Sequence, residues 1–144
     1  MDEEKEARLT RANDYIRTVN GYAERIRSEE VKQALLEVSH SLGNLRDAQY
    51  LFDSGEKELI RLYERYMPYF IDILAQYETI ENSGNYEALQ KHRTALLKTL
   101  KEMNGVIKTV TTILPQDEID EANARAKAEE LRRMLEEQRH SMVK

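Results

Sequence analysis

Two Glu-x-x-His tetrapeptides, Glu37 to His40 and Glu137 to His140, carry a spacing that suits a metal. Residues three apart share a helix face, so carboxylate and imidazole can grip one ion together. A paired iron or manganese centre in a helix bundle uses two such motifs and two further glutamates, all turned inward. Helical phase argues the other way here. Leu35, Val38 and Leu42 mark the apolar face around the first motif and put Glu37 and His40 on the wet side. Leu131 and Leu135 do the same to Glu137 and His140. No metal site is expected. The third histidine, His92, reads as a surface residue. Its neighbour Arg93 interrupts an apolar stripe and reads as a snorkelling or paired structural residue rather than an anion site.

Other chemistry finds no purchase. The chain has no cysteine, which excludes thiolate nucleophiles, cysteine-ligated zinc and iron–sulfur clusters. It has neither a nucleophile elbow nor a phosphate-cradling glycine loop. No catalytic residue and no cofactor is assigned.

The stretch LIRLYERYMPYFIDILAQYETI, Leu59 to Ile80, holds Tyr63, Tyr66, Tyr69 and Tyr77 around Pro68. Proline lacks an N–H and crowds the carbonyl four residues back, so the Glu64 carbonyl loses its partner and a kink is expected near Tyr66 to Pro68. Such a kink either bends a core helix around its neighbours or opens a pocket lined by tyrosine hydroxyls. The first reading is favoured, since no acid–base partner lies nearby in sequence. Tyr63, Tyr66 and Tyr77 are expected on or beside the core stripe, and Tyr69 off its centre.

These residues sit on long amphipathic helices. Glycine (5) and proline (2) are scarce and charged residues reach 34%, which suits helices with wet outer faces. Apolar residues spaced by three and four predict helices over about 3–27, 29–52, 56–81 and 86–114. Ser28 reads as an N-cap, and Asp53 to Gly55 and Asn82 to Asn85 read as turns. Pro115 predicts a stop, with a fifth helix over about 117–140. That helix has a poor apolar face, Ile119, Ala124, Ala128, Leu131 and Leu135, and is expected to pack thinly, fray or project for a partner. The expected fold is all-α: one domain over 1–144, an antiparallel up-and-down bundle of four to five helices, the third kinked at Pro68, with 117–144 loosely packed or projecting.

The formal net charge is −5, with no basic stripe, so nucleic acid is not an expected partner. No apolar run approaches the roughly 20 residues that span a bilayer. The opening MDEEKEARL is acidic and unlike a secretory signal. A cytoplasmic protein, at most peripheral to a membrane, is expected.

The order of features resembles a known family. YIRTV (Tyr15 to Val19) and AERIRSEEVKQALLEV (Ala23 to Val38) precede LFDSGEKELIRLYERYMPYFIDILAQYETIE (Leu51 to Glu81), and DEIDEANARAKAEELRRML (Asp117 to Leu135) follows a long helix. This is similar to the bacterial 5-bromo-4-chloroindolyl phosphate hydrolysis family, the XpaC-type proteins. The match is strongest over 56–81, where Tyr66, Met67, Pro68, Ile73, Leu74, Tyr77 and Glu78 look like the family's third-helix signature. The resemblance implies a helical protein linked with toxic-anion resistance. The family takes its name from a dye phenotype and offers no agreed active-site residues. Many members carry hydrophobic segments ahead of the helical part; this chain is expected to be a shorter relative, or the soluble part of something larger.

The leading expectation is a non-enzymatic bundle that binds a protein partner, in bacterial stress or envelope physiology. Its candidate surfaces are Tyr63, Tyr66, Tyr69 and Tyr77 on the third helix and Leu131 and Leu135 on the fifth. Heptad-like stripes suit a homo-oligomer as well as a bundle. The alternatives are a phosphohydrolase acting on phosphate monoesters and a peripheral membrane module. The acidic charge weakens the last, because membrane-surface helices usually carry lysine- and arginine-rich polar faces.

Overall fold

The structure, a computed structural model, describes residues 2–143, with side-chain surroundings through residue 140. It is all-helical, with no strand among the described residues. Helix α1 spans Glu3–Arg25 and α2 spans Glu29–Leu51. Next, α3 (Glu56–Arg61) runs through a π-helical turn (Leu62–Tyr66) into α4 (Met67–Ser83) without a break. Helix α5 spans Tyr86–Val143. No described helix is long and apolar enough to cross a membrane.

Local chemistry sets the helix ends. The Asp2 carboxylate caps α1 by accepting from the Lys5 N–H at 2.8 Å. Glu3, Glu4 and Glu6 lie in its first turn, where the helix dipole favours acids. Ser28 caps α2 through the Val31 N–H, as its residue type predicts. Two turns need a positive φ, and glycine fills both: Gly55 before α3 and Gly84 after α4, each at φ 79°.

The packing follows the apolar stripes. Helix α2 lies against both α1 and α5, and α4 against α5. Leu35, Leu42, Leu62, Phe70, Leu100 and Ile107 are among the side chains wholly removed from water. Each such burial contributes about 1.5–3 kcal/mol before chain entropy is charged against it. A buried carboxylate fastens the α1–α2 turn. Glu81, at 6% exposure, accepts the backbone N–H of Arg27 at 2.7 Å and of Ser28 at 3.4 Å.

Two expectations are corrected. Pro115 does not stop its helix: the helices expected over 86–114 and 117–140 are one, α5. A proline inside a helix removes one hydrogen bond at a cost of about 3 kcal/mol. The alanine-, glutamate- and arginine-rich run beyond it favours helix strongly enough to continue. On the near side, the buried Ser54 hydroxyl donates to the Leu114 carbonyl at 2.5 Å and ties α5 to the turn before α3. The second correction is to the core face after the π turn. It runs through Met67, Phe70, Leu74, Tyr77 and Glu81, whereas periodicity predicts Tyr66, Phe70, Ile73, Tyr77 and Ile80. A π turn takes in one extra residue and turns the following helix, so Met67, Leu74 and Glu81 replace Tyr66, Ile73 and Ile80 while Phe70 and Tyr77 keep their places.

Candidate interaction surface

The π turn is held by tyrosines. The Met67 N–H bonds the Leu62 carbonyl, five residues back. That leaves the Tyr63 carbonyl without either helical donor, since Met67 is committed and Pro68 has no N–H. The sequence places the lost bond at Glu64; the wider winding adds one at Tyr63. The Tyr15 hydroxyl closes this gap, donating to the Tyr63 carbonyl at 2.6 Å. The two rings stack at 5.8 Å between centroids. The Tyr63 hydroxyl in turn donates to the Gln49 Oε1 inside the core. Burial pushes the Tyr63 phenol above its usual range, so it stays a neutral donor.

The four tyrosines do not converge. Tyr63 is buried among α1, α2 and the π turn. Tyr77 is buried on α4, and its hydroxyl accepts from the Arg93 Nε at 3.3 Å, so Arg93 is a paired structural residue. Tyr69 is 70% exposed. Tyr66, at 43% exposure, lines an open groove of about 620 Å³ between the π turn and α5. Leu62, Val106, Val110 and Ile113 give this groove its apolar floor, and Glu58, Arg61 and Glu102 edge it.

Beyond the groove α5 leaves the bundle. Every residue from Ile119 to His140 is exposed, a helical length of about 30 Å at 1.5 Å per residue. Leu131 is 58% exposed and Leu135 56%, with Ile119 and Met134 similarly open. Ala124, Ala128, Leu131 and Leu135 are spaced by four, three and four, so they form one apolar seam. Beside it Arg125, Arg132 and Arg139 recur every seven residues. The root of this extension is acidic. Desolvation and the nearby carboxylates of Glu58, Asp120 and Glu121 hold the Asp117 carboxyl above its ordinary range. One oxygen of Glu118 is buried there without a hydrogen-bond partner among the described residues.

The histidine motifs lie where helical phase puts them. Glu37 and His40 are exposed on α2, and Glu137 and His140 on the extension of α5. No cluster of metal-ligating side chains occurs among the described residues. Leu131 and Leu135 were legible as a thin apolar face. Met134, one position off the stripe, was missed, and so was the groove. The groove depends on the π turn, for which Pro68 was the only signal. The arginine row is legible in the sequence only as a seven-residue period.

No family model, curated protein or solved structure matches the chain.

Proposed function

We propose that this chain is a non-enzymatic protein-interaction module of the XpaC type, acting in the bacterial cytoplasm in stress, toxic-anion resistance or envelope physiology. Its docking element is α5 beyond Ile119. One observation carries the reading: about 30 Å of amphipathic helix, with Leu131, Met134 and Leu135 open to water, extends from a bundle that makes no use of it. The open leucines and methionine along this helix make an apolar seam of the kind that marks an interaction site.

The bundle serves as the mount. An antiparallel arrangement of α1 and α2 is supported by side-chain pairs that link early α1 to the turn just past α2, Lys5 to Asp53 at 2.8 Å, and mid-α1 to the last third of α2, Asn13 to Arg46 at 3.0 Å. A bend in the third helix at Pro68 is supported by the π turn, since such turns and prolines are the usual causes of sharp kinks. The XpaC-type setting rests on the resemblance over 56–81. Hydrolysis of a phosphate monoester is the alternative that the family name carries. Turnover by the purified chain, surviving further purification, would displace the interaction reading.

The test is a crosslinking pull-down from native cell extract, comparing the tagged chain with its Leu131→Asp/Leu135→Asp variant. A specific protein captured by the first and lost by the second, with unchanged thermal unfolding, supports the reading. Capture of the same proteins by both overturns it.

A further inference from the structure

We propose that the bundle binds a single immobilised water between the start of α1, the end of α2 and the turn before α3, held by the side-chain amide of Gln49.

Gln49 is only 3% exposed, and its Nε2 has no hydrogen-bond partner among the described residues. Buried polar groups are paired as a rule, either with protein or with ordered water. The other end of the amide is committed, since Oε1 accepts from the Tyr63 hydroxyl. Gln49 also lines a closed cavity of about 10 Å³, and Tyr63 is not part of its wall. With Oε1 turned to Tyr63, Nε2 is the end of the amide left to face this cavity.

The cavity suits water in size and in chemistry. Its volume is room for one water and for nothing larger. A bridging water needs about two to four polar partners. Besides Gln49, the wall offers the carboxylates of Asp53 and Glu56 and the hydroxyl of Ser54. Ser54 spends its proton on the Leu114 carbonyl and keeps a lone pair to accept with. The balance of charge argues against an ion. Lys5 pairs with Asp53 at 2.8 Å and Arg8 with Glu56 at 3.6 Å, so the charged wall residues cancel.

The proposal does not depend on which end of the amide carries the oxygen. Turned round, Gln49 would donate to the Tyr63 hydroxyl and present Oε1 to the cavity. The water would then donate to Gln49 where it otherwise accepts. In either orientation it joins two features that the protein chain leaves separate. On one side lies the Tyr63 hydroxyl of the π turn, and on the other the ion-paired turn before α3.

The test is a high-resolution crystal structure of the unaltered chain and of Gln49→Met, with oxygen-17 magnetic relaxation dispersion to count immobilised waters in solution. The expected result is one water within about 2.7–3.2 Å of the Gln49 amide. Gln49→Met keeps the length of the side chain and removes the amide. It should lose that water in the crystal and show one immobilised water fewer in solution. An empty cavity in the unaltered chain, an ion in it, or a protein acceptor within reach of Nε2 overturns the proposal. So does a water that stays in Gln49→Met, because the carboxylates would then hold it without the amide. If Gln49→Met does not fold, the cavity of the unaltered chain decides the matter alone.

Discussion

Gly55→Ala should be among the most damaging small substitutions in the chain. Gly55 holds φ 79°, where an alanine costs about 1–2 kcal/mol of backbone strain. A methyl there would also stand 1.9 Å from the Leu114 Cδ2, far inside van der Waals contact. Leu114 is fully buried, so it can yield only by disturbing the core, at about 1–3 kcal/mol. The sum is about 2–5 kcal/mol, which lowers the melting midpoint of a domain this size by roughly 5–15 °C. Gly84 supplies the control. It has the same φ of 79° and nothing within 4 Å of an added methyl, so Gly84→Ala carries the backbone cost alone. Circular dichroism melts of the two variants separate the terms. A Gly55→Ala/Leu114→Ala double variant should lose less than the two single losses added together, because the clash is shared. Equal losses for Gly55→Ala and Gly84→Ala would refute the account of how the turn before α3 seats on α5.

Three further substitutions test the joints of the bundle. Tyr15→Phe keeps the ring stack but leaves the Tyr63 carbonyl unsatisfied, and should cost about 1–2 kcal/mol in urea denaturation. Glu81→Ala strands the backbone donors of Arg27 and Ser28 and should cost about 2–4 kcal/mol, with Glu81→Gln recovering part of the loss. The Lys5 ammonium holds the Asp53 carboxyl below its ordinary range. A depressed carboxylate contributes stability that is full above the unfolded value of about 3.9 and is lost as pH falls through the folded one. The unaltered chain should therefore be more stable than Asp53→Asn at neutral pH, with the difference vanishing in acid denaturation series.

What the sequence made legible follows the reach of local rules. Ser28 and Asp53 to Gly55 punctuate the chain as their residue types require, and the stripe through Val31, Leu35, Val38, Leu42 and Leu45 is buried as its spacing predicts. Arg93, an interruption in an apolar stripe, is paired as expected, though its partner Tyr77 lies on another helix and no local pattern could name it. The misses have one physical source. Periodicity assumes an unbroken α-helix, and Pro68 converts the winding ahead of it into a π turn that moves Met67 inward and Tyr66 outward. Pro115 misled in the opposite sense, because the propensity of the run after it outweighs one missing bond. The extension's exposure could be suspected from the poverty of its apolar face. The groove beside the π turn is made by residues distant in sequence and could not.

Amide hydrogen exchange across residues 120–140, compared between the purified chain and the chain recovered from native cell extract with its bound partner, tests the central claim most directly. The account predicts slow exchange in the recovered complex, fast exchange in the free chain, and fast exchange in both preparations of the Leu131→Asp/Leu135→Asp variant. Protection that ignores both partner and substitution would mean that the extension is covered within its own chain, and would contradict the account.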